Sequence, residues 1–368
     1  MTTIHRRAWL KSSGFALAGL SLAPGLSASN KKTKFDSAKA ILLNSNENAY
    51  GSSPLVYEAM TGNLHNSNRY PDNYIPVLKK KIAQHWNVAE ENILLGAGSS
   101  EIMALACMHI SKMKGHIITG EPSYKVWHNQ AASCGLSFNT IPLTEERKLD
   151  IVKMFAGIKS DTRMIYVCNP NNPTATACGE IKIADHAIEA SKKTFVLIDE
   201  AYSEFAELQS LATVAAQHKN FIVAKTFSKI YGLAGARVGY AIAHPETIQT
   251  LSNYQPWPDA NVSVVTAAAA TAALEDQAFV KECREKINNT KDLCYTTFNK
   301  LSLEYIPSRT NFILFNIEKI KRDFTQEMQS RNIYVQFRNH FGGKWCRVTI
   351  GTADEMQTFL HALEDIAV

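Results

Sequence analysis

Two side chains thirty positions apart, those of Asp199 and Lys229, could act together in one covalent reaction. Each lies at the end of a largely apolar run, 193–199 and 221–227, that is typical of a short buried strand. In open α/β sheets the ligand crevice lies beyond the carboxyl ends of the strands, so we expect both side chains in one crevice. A lysine amine can condense with an aldehyde, and a carboxylate can keep a pyridine nitrogen protonated so that the ring withdraws electrons. The pair therefore indicates pyridoxal phosphate (PLP) chemistry.

Candidate phosphate ligands surround this pair, which matters because an aspartate or a lysine alone more often has a structural role. Arg237 follows two glycines, where a turn of small residues lets its planar guanidinium approach a phosphate, and Ser228 offers a hydroxyl to the same anion. Ser99 and Ser100 stand in a Gly/Ser-rich turn between a predicted strand and a predicted helix. Free N–H groups at a helix N-terminus attract phosphate.

Short segments in a specific order extend the pattern over the chain: Leu43-Asn-Ser-Asn-Glu-Asn-Ala-Tyr-Gly, Arg69-Tyr-Pro-Asp, Glu121-Pro-Ser-Tyr, Asn169-Pro-Asn-Asn-Pro-Thr, Ile198-Asp-Glu-Ala-Tyr, Ser228-Lys-Ile-Tyr-Gly-Leu-Ala-Gly-Ala-Arg, Thr310-Asn-Phe and Arg347-Val-Thr-Ile-Gly-Thr. With them the chain resembles the class I/II aminotransferases of fold type I, most closely their histidinol-phosphate aminotransferase-like branch. The resemblance covers nearly everything from about residue 42 onward. Ala49 and Ala175 replace a usual proline and a usual glycine, which affects loop shape only.

The resemblance implies a role for each matching cofactor residue. Lys229 would bind the cofactor covalently and shuttle the substrate proton, and Asp199 would pair with the pyridinium. Asn172 and Tyr202 would hydrogen-bond the phenolic oxygen of the ring, and Tyr124 would stack on its face. The phosphate would be held by Ser99, Ser100, Ser228 and Arg237, with Tyr70 of the partner subunit.

The resemblance also implies a substrate site. Arg347 would receive the substrate α-carboxylate in a bidentate pair. Arg338 and Asn48 are further predicted substrate contacts, although a solvated surface role is the alternative for Arg338. Asn44 and Asn311 are further candidates for direct contact in the active site, and the alternative for each is a turn former.

The implied activity is PLP-dependent transfer of an amino group from an amino acid to a 2-oxo acid, by a homodimer. The motifs fix the cofactor and not which bond at Cα is broken, so an amino-acid racemase, a lyase or decarboxylase, or an oxidase on the same fold is the alternative. A non-enzymatic PLP-binding regulator is the least favoured class, because the chain has no spare length for a DNA-binding or sensor segment.

The first residues have the pattern of an export signal. Arg6 and Arg7 precede an uncharged run, 12–30, that is rich in Ala, Leu, Gly and Ser. We predict a twin-arginine signal peptide over 1–28 and a periplasmic location in a bacterium. The run is too short and too interrupted, for instance at Pro24, for a stable membrane span. Because histidine synthesis is cytosolic, this leader predicts an unphosphorylated substrate.

Composition is that of an enzyme with a large core, since 45% of the 368 residues are hydrophobic and 20% are charged. The net charge of +5 gives no indication of nucleic-acid binding. The seven cysteines are scattered without metal-ligand spacing, so no metal site is expected.

Alternating strand and helix patterns predict an α/β fold with a parallel sheet and crossover helices. The resemblance implies that this fold is the fold type I PLP-dependent transferase class. We expect a large domain with a mostly parallel sheet flanked by helices, and a small α+β C-terminal domain. The predicted divisions are a linker and arm over 29–60, the large PLP-binding domain over 61–260 and the small domain over 261–368. The predicted elements are helices over 75–86, 267–303 and 354–367, and strands over 312–315, 333–337 and 346–351.

Overall fold

The computed structural model describes residues 40–125 and 127–367, and the predicted signal peptide lies outside them. The helices are α1 (Pro54–Asn63), α2 (Ile75–Trp86), α3 (Ser99–Ile110), α4 (His128–Ser133), α5 (Ile151–Ala156), α6 (Glu180–Ser191), α7 (Ser203–Ala206), α8 (Ala212–Gln217), α9 (Pro245–Ser252), α10 (Val264–Glu275), α11 (Gln277–Lys300), α12 (Phe324–Ser330) and α13 (Ala353–Ala367). The strands are β1 (Ile41–Leu42), β2 (Ile93–Gly96), β3 (His116–Glu121), β4 (Ser137–Pro142), β5 (Thr162–Cys168), β6 (Phe195–Asp199), β7 (Phe221–Thr226), β8 (Gly239–Ile242), β9 (Tyr305–Ile306), β10 (Phe312–Asn316), β11 (Ile333–Tyr334), β12 (Gln336–His340) and β13 (Gly343–Thr349).

The larger sheet has the strand order β2-β8-β7-β6-β5-β3-β4. Strands β7, β6, β5, β3 and β4 are mutually parallel, and β8 runs antiparallel to both β7 and β2. Strands β5, β6 and β7 are almost wholly buried, as expected when helices cover both faces of a parallel sheet. The predicted mostly parallel α/β architecture is confirmed, and the adjacent β6 and β7 end together at Asp199 and Thr226.

The smaller sheet is antiparallel, in the order β12-β13-β10-β9. The predicted single strand over 333–337 is wrong. Residues 333–334 form β11, which pairs with β1 in parallel, whereas β12 begins at Gln336 and pairs with β13. Two different partner strands divide this segment.

The predicted continuous helical region over 267–303 is also divided. Helices α10 and α11 separate at Asp276, whose side chain accepts a hydrogen bond from the Phe279 backbone N–H at 3.1 Å. A carboxylate that caps the first turn of α11 favours a new helix start at this point. The boundary between a large and a small domain at residue 260 stays a prediction.

No helix within the described residues is both long and apolar enough to cross a membrane.

Candidate active site

A cavity of about 560 Å³ opens at the carboxyl ends of β6 and β7. Many residues that the sequence predicted for a site line it together: Asn44, Ser99, Ser100, Tyr124, Asn172, Asp199, Tyr202, Ser228, Lys229, Arg237, Arg338 and Arg347. They come from segments that are up to 303 positions apart in the chain, as between Asn44 and Arg347. The fold therefore gathers most of the predicted residues at one place.

Asp199 lies at the floor of the cavity and is 3% exposed. Its Oδ2 accepts a hydrogen bond from the Tyr166 hydroxyl at 2.8 Å, and its Oδ1 accepts one from the Ala201 N–H at 3.1 Å. Burial raises the pKa of Asp199 to about 6, and the two hydrogen bonds oppose that rise. The carboxylate is therefore mainly ionised at neutral pH, as a partner for a pyridinium must be.

Lys229 follows β7, and its Nζ donates to the Ser45 carbonyl at 3.2 Å. The same nitrogen lies 5.8 Å from the centroid of the Tyr202 ring. Burial lowers the pKa of Lys229 to about 8, and Arg347 adds to this effect more than Arg237 does. A neutral amine, which is the nucleophilic form, is thus accessible near neutral pH.

A hydrogen-bond network joins the cofactor side of the cavity to its substrate side. The Tyr202 hydroxyl accepts from Asn46 Nδ2 at 3.0 Å and from Asn172 Nδ2 at 3.4 Å. The Asn172 Oδ1 accepts from Arg347 Nη1 at 2.9 Å, while Arg347 Nη2 donates to the Asn44 carbonyl at 2.8 Å. The position of Arg347 is therefore coupled to the group that is predicted to hold the ring oxygen.

The predicted phosphate ligands converge at the N-terminus of α3. Ser99 and Ser100 open this helix, and Arg237 Nη2 donates to Ser100 Oγ at 3.3 Å. The other terminal nitrogen, Nη1, donates to Ser228 Oγ at 3.4 Å. Gly98 has φ +85°, and a Cβ there would lie 2.5 Å from Arg237 Nη2. The cradle needs a glycine for the guanidinium to approach the helix end.

Two further guanidinium groups, those of Arg347 and Arg338, line the cavity. Arg347 is 7% exposed, burial lowers its pKa to about 10, and its Nε has no hydrogen-bond partner within the part of the chain that the structure describes. Arg338 projects from β12 and donates to the Phe337 carbonyl at 3.0 Å. Neither arginine makes an ion pair with a carboxylate of the described residues. The pair presents positive charge that an anionic substrate can neutralise.

The structure places three of the predicted residues outside this cavity. Tyr70 is 72% exposed, with its ring centroid 4.9 Å from that of Trp257. Asn48 lines a second, smaller cavity, and its Nδ2 donates to the Ile230 carbonyl at 2.8 Å. Asn311 Nδ2 donates to the carbonyls of residues 46 and 47, at 3.1 Å each. Substrate contact by Asn48 and cofactor contact by Tyr70 stay predictions.

Sequence reasoning missed several residues of the site. Tyr166 is a single tyrosine inside the buried strand β5, a position typical of a core residue. Nothing in the sequence therefore indicated its hydrogen bond to Asp199. Asn46 lies inside the quoted segment 43–51 and could have been chosen beside Asn44. Gln336 and His340 line the cavity at two-residue steps from Arg338, a spacing that would have indicated one face of a strand.

Comparison with known families agrees with this geometry. Residues 38–363 match the family of class I and II aminotransferases. The match covers most of the chain, and the chain belongs to this family of PLP-dependent enzymes.

Two similar proteins of the family and one solved structure have the same name. A histidinol-phosphate aminotransferase of Moorella thermoacetica is 35% identical over 332 residues, which cover 89% of this chain and 85% of that protein. One from a Geobacillus species is 34% identical over 345 residues, 92% of this chain and 93% of that protein. The crystal structure of a histidinol-phosphate aminotransferase from Sinorhizobium meliloti, in complex with pyridoxal-5'-phosphate, has a TM-score of 0.81 at 26% identity and covers 89% of this chain and 90% of its own.

The residues of the cavity fit PLP. A buried carboxylate, a lysine of lowered pKa and a cradle of hydroxyls, helix N–H groups and a guanidinium match its pyridine nitrogen, aldehyde and phosphate in kind. Among the described residues, no group of three or more His, Cys, Asp or Glu side chains could hold a metal ion.

Proposed function

We propose that this aminotransferase takes the amino group from a donor with an anionic end and passes it to a 2-oxo acid. The observation that carries the proposal is the pair of arginines, Arg347 and Arg338, that line the cavity of Lys229 without carboxylate partners among the described residues. Arginine forks bind carboxylate and phosphate groups through paired hydrogen bonds. A donor held at Arg347 would present its amine toward Lys229.

The side chains of this chain divide the work. PLP, when bound, supplies an electron sink that acidifies the C–H bond beside the substrate nitrogen. Lys229 Nζ, as the neutral amine, would take that proton from Cα and deliver it to the C4′ atom of the cofactor. Asp199 would stabilise the positive charge of the ring nitrogen, and Tyr202 with Asn172, which are hydrogen-bonded to each other, would orient the ring oxygen. Arg347 fixes the donor so that the proton faces Lys229.

The donor best supported is a phosphorylated amine of the kind that the relatives' name prints, histidinol phosphate. A dianionic phosphate suits a pocket with two guanidinium groups. The comparisons do not support the expectation of an unphosphorylated substrate, which rested on the predicted leader. An unphosphorylated amino acid remains the second candidate, because Arg6 and Arg7 with the run that follows favour export away from phosphorylated intermediates.

The test compares histidinol phosphate, histidinol and histidine as donors to holoenzyme, with 2-oxoglutarate as acceptor. Formation of the carbonyl product and loss of the absorbance of lysine-bound cofactor are followed together. A kcat/KM that is highest for histidinol phosphate, and that falls most for this donor in Arg338→Leu, supports the phosphorylated class. Preference for histidine or another free amino acid would overturn it in favour of the second candidate.

Other reactions of the same fold give different products. Racemisation would retain the absorbance of the lysine-bound cofactor while optical purity is lost. A lyase or decarboxylase would release ammonia or carbon dioxide without an acceptor, and an oxidase would consume oxygen. A regulator would bind PLP without turnover.

We also propose a homodimer. Large apolar side chains are exposed at Tyr57, Leu64, Tyr70, Val77 and Trp257, each at least 46%, and the ring centroids of Tyr70 and Trp257 lie 4.9 Å apart. Exposed large apolar groups of this kind are typical of an interaction surface. Burial of this surface against a second copy would bring Tyr70 toward the partner's phosphate cradle.

Export to the periplasm by the twin-arginine route is the remaining proposal. This route carries folded proteins, which suits an enzyme that must fold around its cofactor. The test replaces Arg6 and Arg7 by lysine in the full chain and measures the enzyme in periplasmic and cytoplasmic fractions. Retention of the double variant in the cytoplasm supports the proposal. An unaltered distribution contradicts it.

A further inference from the structure

Alternate side chains of strand β12 face the active-site cavity. Gln336, Arg338 and His340 are half-buried and line the cavity, whereas the intervening Phe337 and Asn339 are exposed. Side chains two residues apart on a strand point to the same side. One side of β12 therefore contributes three polar groups to the cavity wall, of which the family resemblance had indicated only Arg338.

The hairpin between β12 and β13 fixes this row. Gln336 lies directly opposite Arg347 across the antiparallel pair, and His340 lies opposite Gly343. The turn consists of Phe341 and Gly342, both with positive φ, at 53° and 76°. A two-residue turn of this kind gives a hairpin one defined register. Arg147 packs on the turn, with its Cζ 4.0 Å from the centroid of the Phe341 ring.

Two atoms of the row have unused hydrogen-bonding capacity. Gln336 Oε1 and His340 Nε2 are buried and have no partner within residues 40–125 and 127–367. Buried polar atoms in proteins are nearly always paired, and an unpaired one costs free energy that a ligand can recover. Gln336 Oε1 can only accept a hydrogen bond, so its partner must be an N–H or O–H group.

Burial, together with the neighbouring Arg338, favours the neutral form of His340. Burial lowers the pKa of His340, and Arg338 adds to this, while Glu121 and Lys125 act in opposite directions. Lys125 and Glu121 form an ion pair at 2.5 Å and so largely compensate each other. A neutral imidazole offers the substrate a hydrogen bond without adding a third full positive charge to the two arginines.

We propose that Gln336 and His340 are specificity-determining residues, which bind the side chain of the amino donor on either side of Arg338. The preferred donor then carries an N–H or O–H group in its side chain in addition to its anionic group. This inference rests on the proposed function, because it assigns the side-chain end of the same donor site.

The test uses pairs of donors of similar shape that differ in a side-chain N–H. One pair is glutamine and methionine, and the other is histidinol phosphate and phenylalaninol phosphate. The ratio of kcat/KM within each pair is measured for wild-type holoenzyme, Gln336→Leu, His340→Phe and the control Asn339→Ala, whose side chain is on the exposed face. Calorimetry on borohydride-reduced holoenzyme, which cannot turn over, measures the ratio of dissociation constants within each pair.

We expect the wild type and Asn339→Ala to favour the N–H donor of a pair by about tenfold or more, and the other two variants to lose most of that preference. Wild-type ratios near one in both pairs, or ratios unchanged in Gln336→Leu and His340→Phe, would overturn the inference. The proposed function fails separately, if no donor yields a carbonyl product, and the binding ratios then still decide on the two residues.

Discussion

Asp199 and Lys229 are both shifted by burial toward their neutral forms, yet the two side chains must serve in different charge states. The pKa of Asp199 rises to about 6 and that of Lys229 falls to about 8. Asp199 therefore remains a carboxylate at neutral pH, while a useful fraction of Lys229 is neutral. The hydrogen bonds from Tyr166 and from the Ala201 N–H keep the pKa of Asp199 from rising further. The charge of Arg347 adds to the lowering of the Lys229 pKa.

The pH dependence of cofactor attachment tests the state of Lys229. Only the neutral amine attacks the aldehyde, so the rate at which cofactor-free enzyme binds PLP covalently should rise about tenfold per pH unit below the pKa and level off above it. The expected midpoint is near pH 8. Stopped-flow absorbance measures the rate. A midpoint close to the ordinary lysine value would show that the cavity does not shift this group.

Removal of the Tyr166 hydroxyl should weaken the hold on Asp199. The hydrogen bond from Tyr166 lowers the pKa of the carboxyl, so Tyr166→Phe should raise that pKa and move the acid limb of PLP affinity about one unit toward higher pH. Equilibrium titration with PLP at several values between about pH 5 and about pH 8 measures this shift of the acid limb. Tyr240→Phe is the matched control, because its hydroxyl bonds to Trp86 instead. Identical profiles for both variants would contradict the role of Tyr166.

At the scale of elements, the segments that hold the site are joined by a few buried polar side chains. Lys291 of α11 is 6% exposed, and its Nζ donates to the carbonyls of Ser308 and Thr310 at 3.1 and 3.3 Å. The next residue, Asn311, holds the carbonyls of 46 and 47. A long helix is thereby linked through one loop to the segment whose Ser45 carbonyl receives Lys229.

The titration of Lys291 should be visible in stability. Burial lowers its pKa from 10.5 to about 8, so the unfolded state binds more protons between these values and the free energy of unfolding should rise with pH there. The rise attributable to this group is at most about 3 kcal/mol. Denaturant unfolding of wild-type and Lys291→Met holoenzyme at several pH values gives the difference. A variant whose stability follows the same pH slope as the wild type would refute the assignment.

Local sequence patterns predicted the positions of helices and strands better than the pairing of strands with one another. The helix over 75–86 has the predicted bounds, because its polar and apolar residues alternate with the period of a helix. The division of 333–337 between β11 and β12 depends on pairing with β1 and β13, which are distant in sequence. Likewise, the motifs identified Lys229, Asp199 and Arg237, while Tyr166 contacts Asp199 only because the fold packs β5 beside β6.

At the scale of the whole molecule, Tyr70 does not line the active-site cavity of its own chain, although the family resemblance implies that it contacts the cofactor phosphate. Its ring is exposed beside Trp257, among the apolar side chains proposed to bury against a second copy. If that proposal holds, each cofactor site combines Lys229 of one subunit with Tyr70 of the other. Activity would then depend on assembly.

Hybrid dimers test this arrangement. Lys229→Ala and Tyr70→Ala should each have low activity, but a mixture of the two after dissociation and reassociation should regain activity, because one site in a hybrid has both native residues. The expected gain is about a quarter of wild-type activity for random pairing in equal amounts, which is a statistical consequence of closed twofold assembly. Tyr57→Ala, another exposed tyrosine, is the control for a surface effect. If mixing the two variants restores no activity, then either both residues act within one subunit or Tyr70 does not contribute to the site.

The most direct measurement is the mass of the lysine that carries the cofactor. Holoenzyme is treated with borohydride, digested and mapped by mass spectrometry, with the buried Lys225 and Lys291 as internal comparisons. We expect the PLP adduct on Lys229 alone, with its loss in Lys229→Ala. An adduct on one of the other lysines, or none in enzyme saturated with PLP, would contradict the assignment of this cavity as the active site.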